Sequence, residues 1–227
     1  MNARKIVGVL CPIIAMVAVA GFGCGPRQSG SPASPAAVGD AVANKGSDAV
    51  SIKGSDTMVH LVTAWADAFM KAHPESKISV TGGGSGTGIA ALLNGTTDIC
   101  AASRDLSEEE RKTGEAKGLT LVDSSVARDA LSVIVNPRNP INELTLEQIA
   151  MVYTGAVTNW KDVGGADESI VVASRESSSG TYMFFQEHVL KKKDYAASAL
   201  LLPATSAIVQ SVTDSSGAIG YVGLGYA

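Results

Sequence analysis

The stretch that decides the fold is Thr81-Gly82-Gly83-Gly84-Ser85-Gly86-Thr87-Gly88, running on into Ile89-Ala90-Ala91-Leu92-Leu93. The β-prone run Ile78-Ser79-Val80-Thr81 enters it, and a helix-like segment leaves it. Glycines let a backbone turn with its N–H groups aimed at one spot, and the following helix adds its positive N-terminal end. Such a junction suits an oxyanion, and taken alone it is equally an ordinary glycine-rich connector. Two further junctions share its chemistry. Ala49-Val50-Ser51-Ile52 leads through Gly54-Ser55-Asp56-Thr57 into a helix with Met58, Leu61, Val62, Trp65, Phe69 and Ala72 on one stripe, stopped by Pro74. That spacing makes Trp65 and Phe69 core residues. Ser169 to Ala173 leads through Ser174-Arg175-Glu176-Ser177-Ser178-Ser179-Gly180-Thr181 into a helix carrying Phe184, Phe185, Val189 and Leu190. Here a guanidinium, whose fork matches a tetrahedral oxyanion, meets hydroxyls and a helix start.

The elements between these junctions keep alternating. Asp98 to Ala102 reads as a short buried strand with Ser103-Arg104-Asp105 as its exit loop, and Ser107 with Glu110 has capping-box spacing for the next helix. Leu119 to Val122 and Asp129 to Asn136 read as two strands, after which Pro137 and Pro140 break the chain. Thr145 and Gln148 repeat the capping spacing, Asn159-Trp160 and Gly164-Gly165 mark a structured turn, and Ala218 to Val222 is a last strand. The fold class is α/β, with function expected at strand-to-helix loops.

Composition removes several alternatives. The 227 residues carry a net charge of −4 with 5% aromatic content, which supports neither a phosphate-backbone footprint nor stacking platforms for bases. His60, His73 and His188 are dispersed on helices, so no metal or cofactor site is expected. At the N-terminus, Arg4 and Lys5 precede an apolar run from Ile6 to Ala20 and then Gly21-Phe22-Gly23-Cys24, the layout of an export signal. Cys24 resembles the acylated cysteine of bacterial lipoproteins; a plain secretory cut near Gly23 is the alternative. Removing the signal ahead of Cys24 discards Arg4, Lys5 and Cys11 and deepens the charge from −4 to −6, so an anion would be held by local dipoles rather than long-range attraction. Cys100 is then the one cysteine of the folded part, read as a buried, inert thiol. Residues 25–47, rich in Pro, Ser, Gly and Ala, read as a flexible tether.

With these segments in order, the chain resembles the phosphate-binding proteins of bacterial phosphate ABC transporters, the PstS family. The resemblance is carried by Gly54-Ser55-Asp56-Thr57, Gly82 to Gly88, Ala102-Ser103-Arg104, Arg175 to Thr181, and Leu144 to Tyr153 with Thr158-Asn159-Trp160 and Gly164-Gly165. It covers roughly residue 48 to the C-terminus. It implies a two-lobed periplasmic-binding-protein-like fold of class II type: residues 48–135 as one lobe, 136–215 as the second and 216–227 returning to the first. It further implies a monomeric, non-enzymatic capture protein for inorganic phosphate, lipid-anchored outside the cytoplasm and feeding ABC permease subunits. Carried over by residue, Thr57 supplies a hydroxyl, Met58 a backbone donor and Ser85 the serine of the glycine-rich loop. Arg175, Ser179, Gly180 and Thr181 supply the second lobe's cluster.

Family members often carry an aspartate, acceptor of a phosphate proton, in the loop after the Asp98 strand, where this chain has Ser103 and Arg104. An ionised carboxylate accepts hydrogen bonds and cannot donate them, so it favours a protonated ligand such as phosphate over sulfate. Asp56 or Asp105 could take that role, and Asp56 is the candidate because it adjoins Thr57; Arg104 would add a second positive charge. The alternatives are a binding protein for sulfate or molybdate, a phosphate sensor, and a phosphatase or serine hydrolase, the last lacking a nucleophile elbow with evident His and acid partners. The chain stops at Gly223-Leu224-Gly225-Tyr226-Ala227, where relatives continue, so a shortened member or a fragment is expected.

Overall fold

The computed structural model describes residues 4–19 and 49–227. Cys24 and the expected tether, 25–47, lie outside the described residues. In chain order the elements are β1 (Arg4–Val19), β2 (Ala49–Gly54), α1 (Val59–Ala72), β3 (Lys77–Thr81), α2 (Ser85–Leu93), β4 (Ile99–Ala102), α3 (Glu108–Ala116) and β5 (Leu121–Val135). They continue with α4 (Leu146–Tyr153), a 3-10 turn at Trp160–Val163, β6 (Val171–Arg175), α5 (Gly180–His188), β7 (Leu200–Leu202), α6 (Thr205–Asp214), β8 (Ala218–Gly223) and a closing 3-10 turn at Leu224–Tyr226. The α/β expectation holds.

The strands form one eight-stranded sheet in the order β3-β2-β4-β1-β5-β8-β6-β7. Its two ends are parallel, β3-β2-β4 on one side and β8-β6-β7 on the other. Antiparallel β1 and β5 lie between them. Residues 4–19, read from the sequence as an export signal, stand as the central strand β1 in the structure of the whole chain. The two strands expected over 119–136 are one continuous strand, β5: Asp123 to Arg128 stay extended because β1 pairs along their length, from Val19 opposite Leu121 to Arg4 opposite Val135.

Side chains on a strand point alternately to the two sheet faces, and helices cover both. Val133, Val135, Ile219 and Tyr221 pack with Ile149, Val152 and Tyr153 of α4 and Phe185 of α5. Their neighbours Ile134, Ala218 and Val222 face Ile208 and Val212 of α6 on the other side. The β2–β4 half repeats the scheme. Ile52 and Ala101 meet Met58 and Val62, whereas Cys100 and Ala102 meet Ile89, Leu92 and Leu93 of α2. Each such fully buried aliphatic side chain contributes about 1.5–3 kcal/mol, so helices are clamped to both faces and their N-termini are fixed at one end of the strands.

Two local expectations are met by named contacts. Ser107 with Glu110 and Thr145 with Gln148 form reciprocal capping boxes at the starts of α3 and α4. Trp160, buried, donates its indole N–H to the Gly217 carbonyl at 2.9 Å and so ties the expected turn to the residue that leads into β8. One expectation fails. α1 buries Val62 and Ala66, with Met58 buried just ahead of it, while Trp65 and Phe69 are 41% and 50% exposed. The apolar stripe is wider than the sheet contact, and the Leu61–Trp65–Phe69 edge of it faces outward.

Candidate functional site

The four loops that build the site all leave the C-terminal ends of strands in parallel ladders, where helix N-termini and free backbone N–H groups gather. From β2 comes Ser55-Asp56-Thr57, from β3 the glycine-rich turn, from β4 Ser103, and from β6 Arg175 to Ser179 ahead of α5. Gly83 and Gly84 sit at φ of +114° and +91°, a backbone region that disfavours any side chain, and so swing Ser85 into the first position of α2. Ser85 is buried; its hydroxyl oxygen accepts the Ser103 N–H at 3.0 Å and lies 3.2 Å from the Ser103 hydroxyl.

The loop at the end of β6 closes on these groups from the opposite side. Gly180, first residue of α5, passes so near that a methyl in place of its hydrogen would lie 2.5 Å from Ser85 Oγ and 2.7 Å from Ser103 Oγ. The Gly86 N–H donates to the Ser178 carbonyl at 2.9 Å, and the Thr57 and Thr181 hydroxyls are 2.8 Å apart. Ser179 caps α5, accepting the Tyr182 N–H. The cleft is therefore shut, with hydroxyls from both sides facing one another.

Arg175 is the charge of the site and is 1% exposed. Its Nε donates to the Leu202 carbonyl, its Nη1 to the Thr205 hydroxyl and its Nη2 to the Pro203 carbonyl. Nη2 also donates to Asp56 Oδ2 across the cleft at 2.7 Å. The other carboxylate oxygen of Asp56 accepts the Gly83 N–H at 3.1 Å, so Asp56 joins the glycine-rich turn to the guanidinium. Tyr226, from the last turn of the chain, donates its hydroxyl to the Asp56 carbonyl at 3.0 Å. Burial raises the Tyr226 pKa, and the Asp56 charge adds to that rise against the opposing pull of Arg175.

The structure thus brings together Asp56, Thr57, Ser85, Ser103, Arg175, Ser179, Gly180 and Thr181 from the residues singled out by sequence. Two others are placed differently. Arg104 turns away into a two-pronged bond with the Glu110 carboxylate, 2.8 and 2.7 Å, and also donates to the Asp105 carbonyl. Burial alone would raise the Glu110 pKa, but the Arg104 and Ser107 hydrogen bonds outweigh it and hold the carboxyl below its ordinary range. The Met58 N–H donates within its own turn, to the Ser55 carbonyl at 3.2 Å. Asp105, the other carboxylate considered, is exposed. Cys100 is fully buried, and burial pushes its thiol up to about 12, which fits an inert role. Sequence reasoning missed Thr205 and Tyr226. Thr205 lies one position past a non-polar residue at a helix start, and Tyr226 acts through a turn at the far end of the chain, so neither carried a local signal.

A family model described as a PBP superfamily domain matches residues 33–227. The chain belongs to the PBP superfamily, within its PstS phosphate-binding branch. The phosphate-binding protein PstS of Staphylococcus epidermidis (strain RP62A) is 36% identical over 206 residues, which cover 89% of this chain and 60% of that protein. PstS of Bacillus subtilis (strain 168) is 33% identical over 182 residues, covering 80% of this chain and 59% of that one. The chain thus spans about 60% of the length of these curated relatives. Among solved structures, a putative phosphate ABC transporter substrate-binding protein with bound phosphate from Clostridium perfringens superposes with a TM-score of 0.73. It is 38% identical, with 79% of this chain and 72% of that one covered. An ABC-type phosphate transport receptor from Vibrio cholerae gives 0.59 at 33% identity, covering 78% and 72%. These PstS-family relatives are binding and transport proteins, not enzymes.

Proposed function

We propose that this chain captures inorganic phosphate in the cleft between two lobes, residues 48–135 and 136–215 with 216–227 returning to the first, and hands it to ABC permease subunits. The observation that carries the reading is Arg175, a buried guanidinium bonded across the cleft to Asp56, whose neighbour Thr57 meets Thr181 from the other side. Every donor there comes from one lobe or the other, so only the closed form satisfies all the oxygens of a tetrahedral anion. The ligand's differential affinity for that form is what drives closure. Thr57, Ser85, Ser103, Ser179 and Thr181 supply hydroxyls, Gly180 and the start of α2 supply backbone N–H groups, and Arg175 supplies charge. Arg104, bonded to Glu110, shapes the loop that holds Ser103 rather than meeting the ligand. Asp56 selects for a ligand that carries a proton to donate.

The same reading makes the protein exported and lipid-anchored through Cys24 on the extracytoplasmic side, and active as a monomer. It is tested by calorimetric titration of the protein with phosphate, sulfate and arsenate. Saturable phosphate binding with sulfate much weaker is expected. Equal or stronger sulfate or molybdate binding would make it a carrier of another oxyanion, and no binding of any of these anions would remove the proposal. Mass spectrometry of the membrane fraction tests the lipid on Cys24.

A further inference from the structure

The loop that carries Arg175, Ser179, Gly180 and Thr181 is held at both of its ends by tyrosine hydroxyls. At the β6 end, the Tyr221 hydroxyl of β8 accepts the Arg175 backbone N–H at 3.3 Å and lies 2.8 Å from the Ser174 hydroxyl. At the α5 end, Tyr195, from the segment between α5 and β7, donates its hydroxyl to the Tyr182 carbonyl at 3.0 Å. The two tyrosine hydroxyls meet at 3.1 Å. Ser174 and Tyr221 are fully buried, so water cannot replace these contacts cheaply.

Proton counting gives the chain of hydroxyls a direction. A backbone carbonyl can only accept, so the one hydroxyl proton of Tyr195 goes to Tyr182. Tyr195 then accepts from Tyr221, and Tyr221, its own proton committed, accepts from Ser174 and from the Arg175 N–H. Burial raises the pKa of Tyr195 and of Tyr221 above the ordinary tyrosine value, which keeps both protons in place. Ser174 has a second acceptor in reach, the Arg175 carbonyl at 3.3 Å, but Tyr221 is nearer. The rings are fixed independently of the hydroxyls: Tyr195 stacks on Tyr182 with centroids 4.4 Å apart, and Tyr221 on Phe185 at 4.1 Å. Tyr153 belongs to the same aromatic group, 5.7 Å from Tyr221 and 6.2 Å from Tyr195, and is as buried as Tyr221. Its hydroxyl has no hydrogen-bond partner among the described residues.

We propose that, on the phosphate reading above, Tyr221 and Tyr195 are positioning residues for the anion: the chain Ser174–Tyr221–Tyr195–Tyr182 fixes the spacing between the Arg175 end of β6 and the first turn of α5. The loop offers the Arg175 charge from one end and the Ser179 and Thr181 hydroxyls with the Gly180 N–H from the other, and one ligand needs both. Ser179 accepts the Tyr182 N–H, so the residue that Tyr195 holds by its carbonyl is also the one that Ser179 caps. A shift at either end of the loop misaligns charge-assisted hydrogen bonds, which weaken steeply as their angle closes.

The test compares Tyr195→Phe, Tyr221→Phe and Tyr153→Phe in the full chain, each removing one hydroxyl and keeping the ring. Calorimetry should show Tyr195→Phe weakening phosphate binding at least about threefold, the scale of one neutral hydrogen bond. Tyr221→Phe should weaken it further, because it breaks the contacts to Ser174, Arg175 and Tyr195 together. Tyr153→Phe deletes a hydroxyl that bonds nothing and should bind phosphate within about twofold of wild type. Hydrogen exchange at amides 175–183, recorded without added anion, should speed up in Tyr195→Phe and Tyr221→Phe and keep the wild-type rate in Tyr153→Phe. Thermal unfolding establishes that each variant is folded; if Tyr221→Phe is not, the half-buried Tyr195 decides. Wild-type affinity in folded Tyr195→Phe, unchanged exchange over 175–183, or an equal loss of affinity in Tyr153→Phe overturns the proposal. Titration of the wild type with phosphate reports on the cleft by itself and the exchange comparison needs no ligand, so failure of the positioning role is distinguishable from failure of the phosphate reading.

Discussion

Asp56→Asn separates phosphate capture from general oxyanion capture. In the structure one Asp56 carboxylate oxygen accepts the Gly83 N–H at 3.1 Å and the other accepts Arg175 Nη2 at 2.7 Å. Each carboxylate oxygen has a second lone pair, so Asp56 can still accept a proton from a ligand seated beside Arg175. Phosphate brings O–H groups that can donate; fully ionised sulfate brings only lone pairs and negative charge. A hydrogen bond to a charged group is worth about 1.5–3 kcal/mol net, and each ~1.4 kcal/mol is tenfold in affinity. The asparagine replaces one acceptor oxygen with an NH₂ that can face sulfate and removes the repelling charge. The ratio of phosphate to sulfate affinity should therefore fall by at least about tenfold, chiefly because sulfate binds more tightly. Calorimetric titration of both anions at one pH and ionic strength measures it, with thermal unfolding confirming that the variant is folded. An unchanged ratio in a folded variant would refute the assignment of selectivity to Asp56.

Arg175→Ala removes the buried charge and leaves Asp56 unpaired beside an incoming anion; phosphate binding should weaken by at least about tenfold by calorimetry, and wild-type affinity would sink the cleft assignment. Gly180→Ala sets a methyl within 2.5 Å of Ser85 Oγ; closure should be obstructed, with phosphate affinity down at least about tenfold and no ligand-induced contraction in small-angle scattering, though each lobe still folds. Glu110→Gln tests the Arg104 pair. The Glu110 pKa is lowered in the folded state, so its contribution to stability is present above the unfolded carboxyl value and disappears as pH falls through the folded one. Urea unfolding should show the variant less stable by up to about 1 kcal/mol at pH 7. The gap should shrink as the medium is acidified below the ordinary carboxylate range, with phosphate affinity unchanged throughout.

Much of the site was legible because each of its parts is a local pattern. Gly83 and Gly84 at positive φ, Ser85 at a helix start and Ser179 capping α5 are all set by residues within a few positions of one another. What could not be read is what depends on the far side of the molecule. Nothing adjacent to Arg104 in sequence says that its guanidinium goes to Glu110, although the six-residue separation across a capped helix start makes the pair reachable. Asp56 was singled out as a neighbour of Thr57, but its partner Arg175 lies 119 residues away and is fixed by the fold alone. Thr205 and Tyr226 belong to the same class. Helical periodicity likewise placed Trp65 and Phe69 on the apolar side of α1 without saying how much of that side the sheet would cover.

The exposed edge of α1 and the single central strand lie on the same side of the molecule, the β2–β4 side. Leu61, Trp65 and Phe69 on α1 and Val122 and Val126 on β5 are all exposed, and Leu61 lines one cavity together with Ala127, Arg128 and Asp129 of β5. The outward edge of α1 and the part of β5 paired only by β1 are thus neighbours. In the cleft, by contrast, every singled-out group except Arg104 and Met58 meets a partner across or beside it. The molecule is therefore closely bonded where β2, β3, β4 and β6 end, and carries exposed apolar side chains along the part of β5 that β1 pairs. A ligand that shuts the cleft binds at those strand ends, where Asp56 meets Arg175 and Thr57 meets Thr181, and so joins the two halves of the sheet by a route that does not pass through β1.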